Sequence, residues 1–171
     1  MLDVQIAEKL ELAFSQHGFA EPSVSKLQAS CGVSLRTLYK YYPSKEAMIV
    51  GALNYRHQRY LSFLLDNAPS NERDAVTYIF DQLEMWMENY APHGCLSLNA
   101  LAAFPDNSSI CQAVNQHKED VRQLLGKQSG RRDLAAALYL LHEGVSNAWP
   151  VIGTESVSEA KKIIHVLLGE K

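Results

Sequence analysis

The stretch of sequence that decides the fold lies at residues 23–47 and reads SVSKLQASCGVSLRTLYKYYPSKEA. Its first part predicts a short helix over residues 24–30. Ser23 can cap that helix, because its hydroxyl can accept a hydrogen bond from a free backbone N–H in the first turn. Gly32 can end the helix, since glycine adopts the left-handed conformation without a steric penalty. A second helical stretch follows within a few residues, so the pattern predicts two helices joined by a tight turn.

The second of these helices is predicted over residues 35–41. Ser34 can cap it, and Pro43 with Ser44 interrupts the chain and starts a longer helix over residues 45–65. Two helices joined by so short a turn with a glycine cross steeply. Four apolar residues can lock the crossing from inside: Val24, Leu27, Val33 and Leu38. The stretch therefore predicts a helix-turn-helix, although any helical hairpin would use similar apolar positions.

The regions on either side of this stretch also favour helices. Ile6, Leu10, Ala13 and Phe14 form an apolar stripe at helical spacing, which Gly18 can end. Further helices are predicted over residues 74–90, 94–103, 107–125, 132–149 and 158–168. We therefore predict an all-α chain of about nine helices. A three-helix domain is expected at residues 1–46 and a second helical domain at residues 47–171.

Composition bounds the class of protein. The chain has 171 residues, of which 47% are hydrophobic, and this is enough to bury a core. Its longest apolar runs are too short to cross a membrane, and its N-terminus lacks the pattern of a secretion signal. We expect a soluble, cytoplasmic protein. The three cysteines, Cys31, Cys95 and Cys111, are odd in number and irregularly spaced, which argues against a disulfide framework and a zinc site.

Charge is distributed unevenly along the chain. The net charge is -3, but residues 1–60 carry +2 and residues 61–171 carry -5. Four basic residues follow one another between Glu21 and Glu46 with no acidic residue among them: Lys26, Arg36, Lys40 and Lys45. Such a stretch can face a polyanion without local repulsion. The alternative is a cationic surface that faces only solvent.

The last two predicted helices carry pronounced apolar stripes. One stripe is formed by Leu134, Leu138, Leu141, Val145 and Ala148, and the other by Ala160, Ile163, Ile164, Leu167 and Leu168. Small residues around the first stripe would allow another helix to approach closely. Two such helices from each of two subunits can form a four-helix dimer interface. The alternative, which the pattern alone favours, is the core of a single chain.

The order of residues from Ile6 to Leu53 resembles the TetR family of bacterial regulators. The resemblance lies in Phe14, Gly18-Phe19, Ser23-Val24 and Leu27, followed by GVSLRTLYKYYPSKEA at residues 32–47. Further along, Gly94-Cys95-Leu96 recurs at the start of the sixth helix in some members. The resemblance implies an N-terminal DNA-binding domain and a C-terminal domain for ligand binding and dimerisation. It also implies a homodimer, formed through the last two helices, that binds a near-palindromic double-stranded operator.

The helix at residues 35–41 then becomes a recognition helix. Arg36 is the best candidate for reading a base, because its guanidinium can pair with guanine O6 and N7. Leu35 and Thr37 can touch a thymine methyl group or a phosphate, whereas Tyr42 is assigned to the core. The full set of candidate DNA contacts is Ser23, Ser34, Leu35, Arg36, Thr37, Tyr39, Lys40, Tyr41 and Lys45. Lys45 is expected to meet a phosphate at the start of the fourth helix.

A small organic effector of unknown identity is expected in the second domain. Aromatic and methionine residues after Pro69 offer apolar surface with a few polar groups, although most such residues belong to a core. The candidate ligand contacts are Trp86, Tyr90, Cys95 and Asn99. Cys95 also suggests an alternative, a thiol that senses electrophiles or oxidants, because it stands at a predicted helix start beside His93. A buried, inert cysteine is the simpler interpretation.

An enzyme and a helical interaction module are the alternatives to a DNA-binding regulator. The six histidines are scattered, and none has a carboxylate three residues before it, as helical metal sites do. The sequence contains no nucleophile elbow, phosphate loop or cysteine pair. We therefore expect no enzyme, no catalytic residues, no cofactor, no metal and no membrane partner. A helical protein-interaction module without DNA binding is the remaining alternative, against which the basic residues argue.

Overall fold

The computed structural model describes residues 1–169, and within these it contains nine α-helices and one short 3-10 helix. The α-helices are α1 Leu2–His17, α2 Val24–Cys31, α3 Leu35–Tyr41, α4 Lys45–Leu65, α5 Glu72–Tyr90, α6 Leu96–Ala103, α7 Ser108–Gln128, α8 Ala135–Ile152 and α9 Thr154–Leu168. The 3-10 helix, Arg132–Leu134, precedes α8. The predicted all-α fold is confirmed, and α3 and α4 begin and end at the predicted residues.

Several helix ends differ from the prediction because capping groups decide them. α5 begins two residues early, since the Asn71 side chain accepts hydrogen bonds from the backbone N–H groups of Arg73 at 3.0 Å and Asp74 at 3.3 Å. The helix predicted over residues 132–149 extends further than expected, because Pro150 lies inside α8. It stands only three residues before Gly153, which ends the helix with φ 52°. Pro150 has no N–H to donate to the carbonyl of Ser146, four residues earlier, so one hydrogen bond of the last turn is missing.

The first of two compact units comprises Met1–Arg59 and Leu96–His117. Its core combines side chains of α1 to α4 with side chains of α6 and the first half of α7. The largest contributors are Ile6, Leu10, Phe14, Leu27, Leu38, Met48, Ile49, Leu53 and Ile110, all at most 1% exposed. The predicted domain boundary after residue 46 falls at the start of α4. The division into domains at that point stays a prediction.

The second unit comprises Tyr60–Cys95 and the chain from Lys118 onward. Its core is built from the end of α4, α5, the second half of α7, α8 and α9. Leu138 and Val145 of α8 and Ala160 and Ile164 of α9 are buried in it. Much of the two predicted stripes therefore belongs to the core of this chain. Ile163 of the predicted α9 stripe is exposed, as are four apolar residues outside the two stripes: Leu140, Val151, Ile152 and Val166.

A buried cluster of charges joins α1 to α4 within the first unit. Glu11 is 5% exposed and accepts hydrogen bonds from Arg56 at 2.5 Å and from Arg59 at 3.1 Å. Sequence reasoning missed this cluster, although Glu11 interrupts the apolar face of α1 between Ala7 and Phe14. Among residues 1–169, no helix is long and apolar enough to span a membrane. The same residues contain no group of three His, Cys, Asp or Glu side chains placed to hold a metal ion.

Candidate nucleic-acid interface

The turn between α2 and α3 is fixed by local hydrogen bonds at both of its ends. Ser23 caps α2, accepting from the backbone N–H of Lys26 at 3.2 Å. Gly32 adopts the left-handed conformation, with φ 66°, and donates its N–H to the carbonyls of Gln28 and Ala29. Ser34 caps α3, accepting from the backbone N–H of Thr37 at 3.0 Å. The sequence-predicted caps of the helix-turn-helix are therefore present, and they determine how α3 leaves the turn.

The inner face of the motif is apolar and small. Leu27 of α2 and Leu38 of α3 are fully buried, and Cys31 is 4% exposed. Val24 and Val33 are partly buried against the same core. The four residues predicted to lock the helix crossing are therefore all packed in this core, and Cys31 packs beside them: Val24, Leu27, Val33 and Leu38. Leu38 is the buried residue of α3, so the rest of this short helix is available to solvent or to a partner.

The outer face of α3 carries four exposed side chains: Leu35, Arg36, Tyr39 and Lys40. Successive residues of an α-helix are rotated by about 100°, so these four lie within an arc of about 140°. Leu35 is 46% exposed and Tyr39 is 41% exposed, which is high for large apolar and aromatic side chains. The arc joins a guanidinium, an ammonium, a phenol and an apolar side chain on one surface. Such a set can both hydrogen-bond to base edges and contact phosphates.

Tyr41 lies beside this arc and is 37% exposed. The ammonium of Lys40 lies 5.5 Å from the centre of the Tyr41 ring, a cation–π contact that holds the two side chains near each other. Both groups suit an anion, since the phenol can donate a hydrogen bond and the ammonium supplies charge. Their assignment as phosphate contacts stays a prediction that this arrangement allows.

Three predicted contacts have hydroxyl groups that already serve the motif itself. The hydroxyls of Ser23 and Ser34 accept capping hydrogen bonds, and the Ser34 and Thr37 hydroxyl oxygens lie 2.8 Å apart. Ser23 and Ser34 are exposed, and Thr37 is half-buried. The first role of these side chains is therefore to set the start of each helix. Any contact with DNA would use their remaining hydrogen-bonding capacity.

Lys45 occupies the first position of α4, but its side chain has an intramolecular partner. Its Nζ donates to the backbone carbonyl of Ala20 at 2.7 Å, which ties α4 to the segment between α1 and α2. Burial lowers the pKa of Lys45, while the nearby Glu46 opposes that effect. The geometry thus assigns Lys45 a structural bond, and its predicted phosphate contact would have to compete with that bond.

Tyr42 is placed as the sequence suggests, against the core of the first unit. Its hydroxyl donates to the backbone carbonyl of Asp3 at 3.1 Å, and its ring packs on Gly51 of α4. A side chain at Gly51 would collide with that ring. Burial, with Asp3 and Cys31 nearby, raises the pKa of the Tyr42 phenol. Tyr42 therefore links α1, α3 and α4 and is unsuited to contacting DNA.

The four candidate ligand contacts are not brought together in one unit. Trp86 is 4% exposed, and its ring centre lies 4.8 Å from that of Tyr90 and 4.9 Å from that of Tyr60. Tyr90 is 44% exposed, and Cys95 is half-buried. Asn99 is exposed and belongs to the first unit, whereas the other three belong to the second. Trp86 and Tyr90 form part of an aromatic cluster, and their role as ligand contacts stays a prediction.

Cys95 has charged surroundings that the sequence did not reveal. The ammonium of Lys118 donates to the Cys95 Sγ at 3.3 Å and to both oxygens of Glu143, at 2.9 and 2.8 Å. Glu143 in turn lies 3.1 Å from Nδ1 of His142, whose Nε2 meets the Tyr60 hydroxyl. The five residues come from four separate stretches of the sequence, and only His142 and Glu143 are neighbours, so no local spacing could have indicated this hydrogen-bonded network.

The pKa shifts of Lys118, Glu143 and His142 indicate which groups of this hydrogen-bonded network are charged at neutral pH. Burial alone would lower the pKa of Lys118, but Cys95 and Glu143 raise it above its usual value. Burial would raise the pKa of Glu143, yet His142 and Lys118 lower it to about 2. His142 is 3% exposed, and burial lowers its pKa, which keeps the ring neutral. The neutral ring therefore donates from Nδ1 to Glu143 and accepts at Nε2 from Tyr60.

Comparison with known proteins places the N-terminal region in a described group. Residues 11–52 match the family model described as bacterial regulatory proteins, tetR family. An uncharacterized HTH-type transcriptional regulator, YuxN from Bacillus subtilis (strain 168), is 30% identical over 158 residues. This match covers 86% of the present chain and 52% of YuxN, so the chain spans about half the length of that relative.

Two further proteins resemble the chain over most of its length. The HTH-type transcriptional repressor NemR from Escherichia coli (strain K12) is 28% identical over 159 residues, which cover 90% of this chain and 74% of NemR. The crystal structure of the reduced form of E. coli NemR superimposes with a TM-score of 0.76, at 23% identity over 96% of this chain and 95% of that one. SCO4454, a TetR-family transcriptional regulator from Streptomyces coelicolor, gives a TM-score of 0.84 at 16% identity, covering 99% and 90% of the two chains. These structures share the fold of the present chain.

Proposed function

Residues 11–52 match the tetR family of bacterial regulatory proteins, and we propose that the chain is a cytoplasmic transcriptional repressor of that family. It binds a near-palindromic double-stranded operator as a homodimer, and a small-molecule effector releases it. The observation that carries this proposal is the exposed arc of α3, formed by Leu35, Arg36, Tyr39 and Lys40. An arc of this kind can enter a major groove, with Arg36 at a base edge and Lys40 at a phosphate.

Dimer formation is supported by apolar residues that the chain leaves uncovered on its last two helices. Leu140 and Val151 of α8 are 69% and 85% exposed, and Ile163 and Val166 of α9 are 47% and 77% exposed. Gly144 of α8 has open space where a side chain would stand, so a second helix can approach closely there. Two helices from each subunit would then pack as a four-helix interface.

A dimer would also bind an operator more tightly than a single DNA-binding domain can. One domain reads half a site and makes few phosphate contacts, which gives weak and salt-sensitive binding. Two domains related by a twofold axis double those contacts and require an operator with matching symmetry. An effector bound in the second unit would change the separation of the two recognition helices and so lower operator affinity.

Selection of bound duplexes from random DNA tests this function directly. The full chain should enrich an inverted repeat whose half-sites lie about one helical turn apart. A variant with Arg36→Ala and Lys40→Ala should lose the enrichment, whereas Leu12→Ala, at an exposed position on α1, should keep it. No enriched sequence at moderate salt would count against DNA binding and in favour of a protein-interaction module.

A second candidate function is the sensing of electrophiles by Cys95, favoured by the ammonium of Lys118 at 3.3 Å from its sulfur. The sulfur is the atom that attacks an electrophile, and a cation in contact with it can offset negative charge on the sulfur as it reacts. Treatment with N-ethylmaleimide should then release wild-type protein from its operator. Cys95→Ser should be insensitive, while Cys111→Ser, which alters the other half-buried thiol, should behave as wild type. An equal response of Cys95→Ser and wild type would exclude this function.

A further inference from the structure

The second unit contains a groove that none of the predicted ligand contacts lines. Its volume is about 400 Å³, within the range of small-molecule sites. Leu61 and Leu65, on the last two turns of α4, form one wall, and Leu124 of α7 adds a third leucine. Leu65 is 37% exposed. Three leucines thus present apolar surface that a ligand could remove from water.

The narrow end of the groove is set by small residues. Gly126 of α7 and Ala135 of α8 both line it. A Cβ at Gly126 would lie 2.8 Å from the Cβ of Ala135, so the two helices touch here with no side chain between them. A glycine at this point lets α7 and α8 meet without filling the groove.

The rim of the groove is cationic. Arg122, Lys127 and Arg132 line it, with Asp120 as the acidic residue. Arg122 donates to both oxygens of Glu119, at 2.8 and 2.6 Å, so its charge is already matched. This bond and a further one from Gln123 lower the pKa of Glu119 to about 2.

Lys127 and Arg132 differ from Arg122 in this respect. Both are exposed, and within residues 1–169 neither takes part in an ion pair. Lys127 lies in the last turn of α7, and Arg132 lies in the 3-10 helix before α8. Two cations with no carboxylate partner therefore border a surface of three leucines. Charge complementarity then selects a ligand with one anionic group and one apolar body.

We propose that this groove binds a medium-chain carboxylate, with its chain on Leu61, Leu65 and Leu124 and its carboxylate between Lys127 and Arg132. We infer that such a carboxylate is also the class of effector, and this inference rests on the proposed function. α4 is one continuous helix from Lys45, four residues after the end of α3, to Leu65 in the groove. A ligand on Leu61 and Leu65 therefore touches the helix that follows the recognition helix.

Calorimetry on the full chain with sodium octanoate tests the binding site without DNA. Octanoate should bind roughly tenfold or more tightly than octan-1-ol, because only the acid can form charge-assisted hydrogen bonds. The double variant Lys127→Ala with Arg132→Ala should lose that advantage. A control of equal charge change, Arg73→Ala with Arg131→Ala, alters cations outside the groove and should bind octanoate as wild type does.

Three results would overturn the proposal. They are equal binding of octanoate and octan-1-ol, full octanoate affinity in the Lys127 and Arg132 double variant, and full affinity in Leu65→Gln. Leu65 is exposed enough for the last change to leave folding intact, which circular dichroism would check. Operator affinity measured with and without octanoate then tests the effector role separately. Octanoate binding with unchanged operator affinity would exclude that role, and absence of any operator would refute only the proposed function.

Discussion

At the scale of single residues, the first unit depends on one buried carboxylate. Glu11 accepts hydrogen bonds from Arg56 and Arg59, and both Glu11 and Arg56 are less than 10% exposed. A buried charge is tolerated only when its partners balance it. Glu11 therefore stabilises the packing of α1 on α4 through two ion pairs, one of them with a buried guanidinium.

Glu11→Gln should lower the free energy of unfolding by about 3–5 kcal/mol, because it removes the carboxylate that balances a buried guanidinium. Urea denaturation followed by circular dichroism measures the loss. Glu21→Gln, at an exposed position between α1 and α2, is the matched control and should change stability by less than about 0.5 kcal/mol. Similar losses in the two variants would show that the buried cluster contributes little.

Arg36 and Lys40 share the exposed arc of α3, yet their loss should be distinguishable. Arg36→Ala should relax the preference at one base pair in each half-site, at a cost of about 1–3 kcal/mol for the preferred base. Lys40→Ala should weaken binding to all sequences alike. It should also reduce the slope of log affinity against log salt by about 2 per dimer, since each phosphate contact contributes about 0.9. Fluorescence anisotropy on operator variants over a salt series separates these outcomes.

His142 should make the second unit sensitive to acid. Its pKa is lowered by burial, so the unfolded chain takes up a proton, near pH 6.5, before the folded chain does. Stability from this group is therefore fully present above pH 6.5 and is lost as pH falls below it, by up to about 1.4 kcal/mol per pH unit. Urea denaturation at several values between pH 7 and pH 5 gives the free energy of unfolding as a function of pH. This free energy should fall less steeply with falling pH for His142→Gln than for wild type. His93→Gln, an exposed control, should match wild type.

Some residue roles followed from the sequence, and others depend on distant partners. The caps Ser23 and Ser34 could be predicted because a cap bonds to a backbone group only three residues away. The bond between Lys45 and Ala20 could not, since it joins positions 25 residues apart. The contact of Lys118 with Cys95 is of the same kind, and it depends on how α7 packs within its unit. Hydrogen bonds between residues close in sequence can therefore be predicted, whereas contacts between distant residues cannot.

At the scale of helices, α8 shows what periodicity alone leaves open about an apolar surface. Leu138 and Leu140 are two residues apart, which places them about 200° apart around the helix. Leu138 is fully buried in the second unit, and Leu140 is 69% exposed. The sequence shows apolar residues on both sides of this helix, and it cannot say which side the chain covers itself. The predicted stripe held the covered side, and Leu140 lies on the other.

A charge on the uncovered side should therefore abolish the dimer. Leu140→Glu would bury a carboxylate in the proposed interface, which is strongly unfavourable without a partner. Analytical ultracentrifugation should show a monomer, with operator affinity reduced to that of a half-site. Leu12→Glu, at a 56% exposed position of α1, is the matched control and should leave the mass unchanged. A dimer that survives Leu140→Glu would place the interface elsewhere.

At the scale of the whole molecule, the structure shows which basic residues of the N-terminal region are paired and which are exposed. Of the basic residues in the first unit, Arg56 and Arg59 bond to Glu11, and Lys45 bonds to Ala20. Lys26 of α2 and Arg36 and Lys40 of α3 are exposed. Of the seven basic residues in residues 1–60, these three are therefore exposed on α2 and α3, and Lys9 is exposed on α1.

The overall fold was predictable to the level of helix number and order, but the partition into compact units was not. Turn residues and helical periodicity mark where each helix begins and ends, and these signals are local. The assignment of α6 and the first half of α7 to the first unit depends on Ala100, Ile110 and Val114, which are buried in its core. No spacing within the sequence indicates that these side chains pack with those of α1 and α4.

This composite core has a consequence for modularity. A fragment ending at Arg59 would contain the recognition helix but would lack Ala100, Ile110 and Val114, and it would end within α4. Apolar surface that those three side chains cover would then be exposed, which favours aggregation. A chimera that grafts the proposed DNA-binding region onto another helical domain must therefore carry α6 and the start of α7 with it. The core that supports the helix-turn-helix is therefore discontinuous in sequence, and a segment that ends at Arg59 contains only part of it.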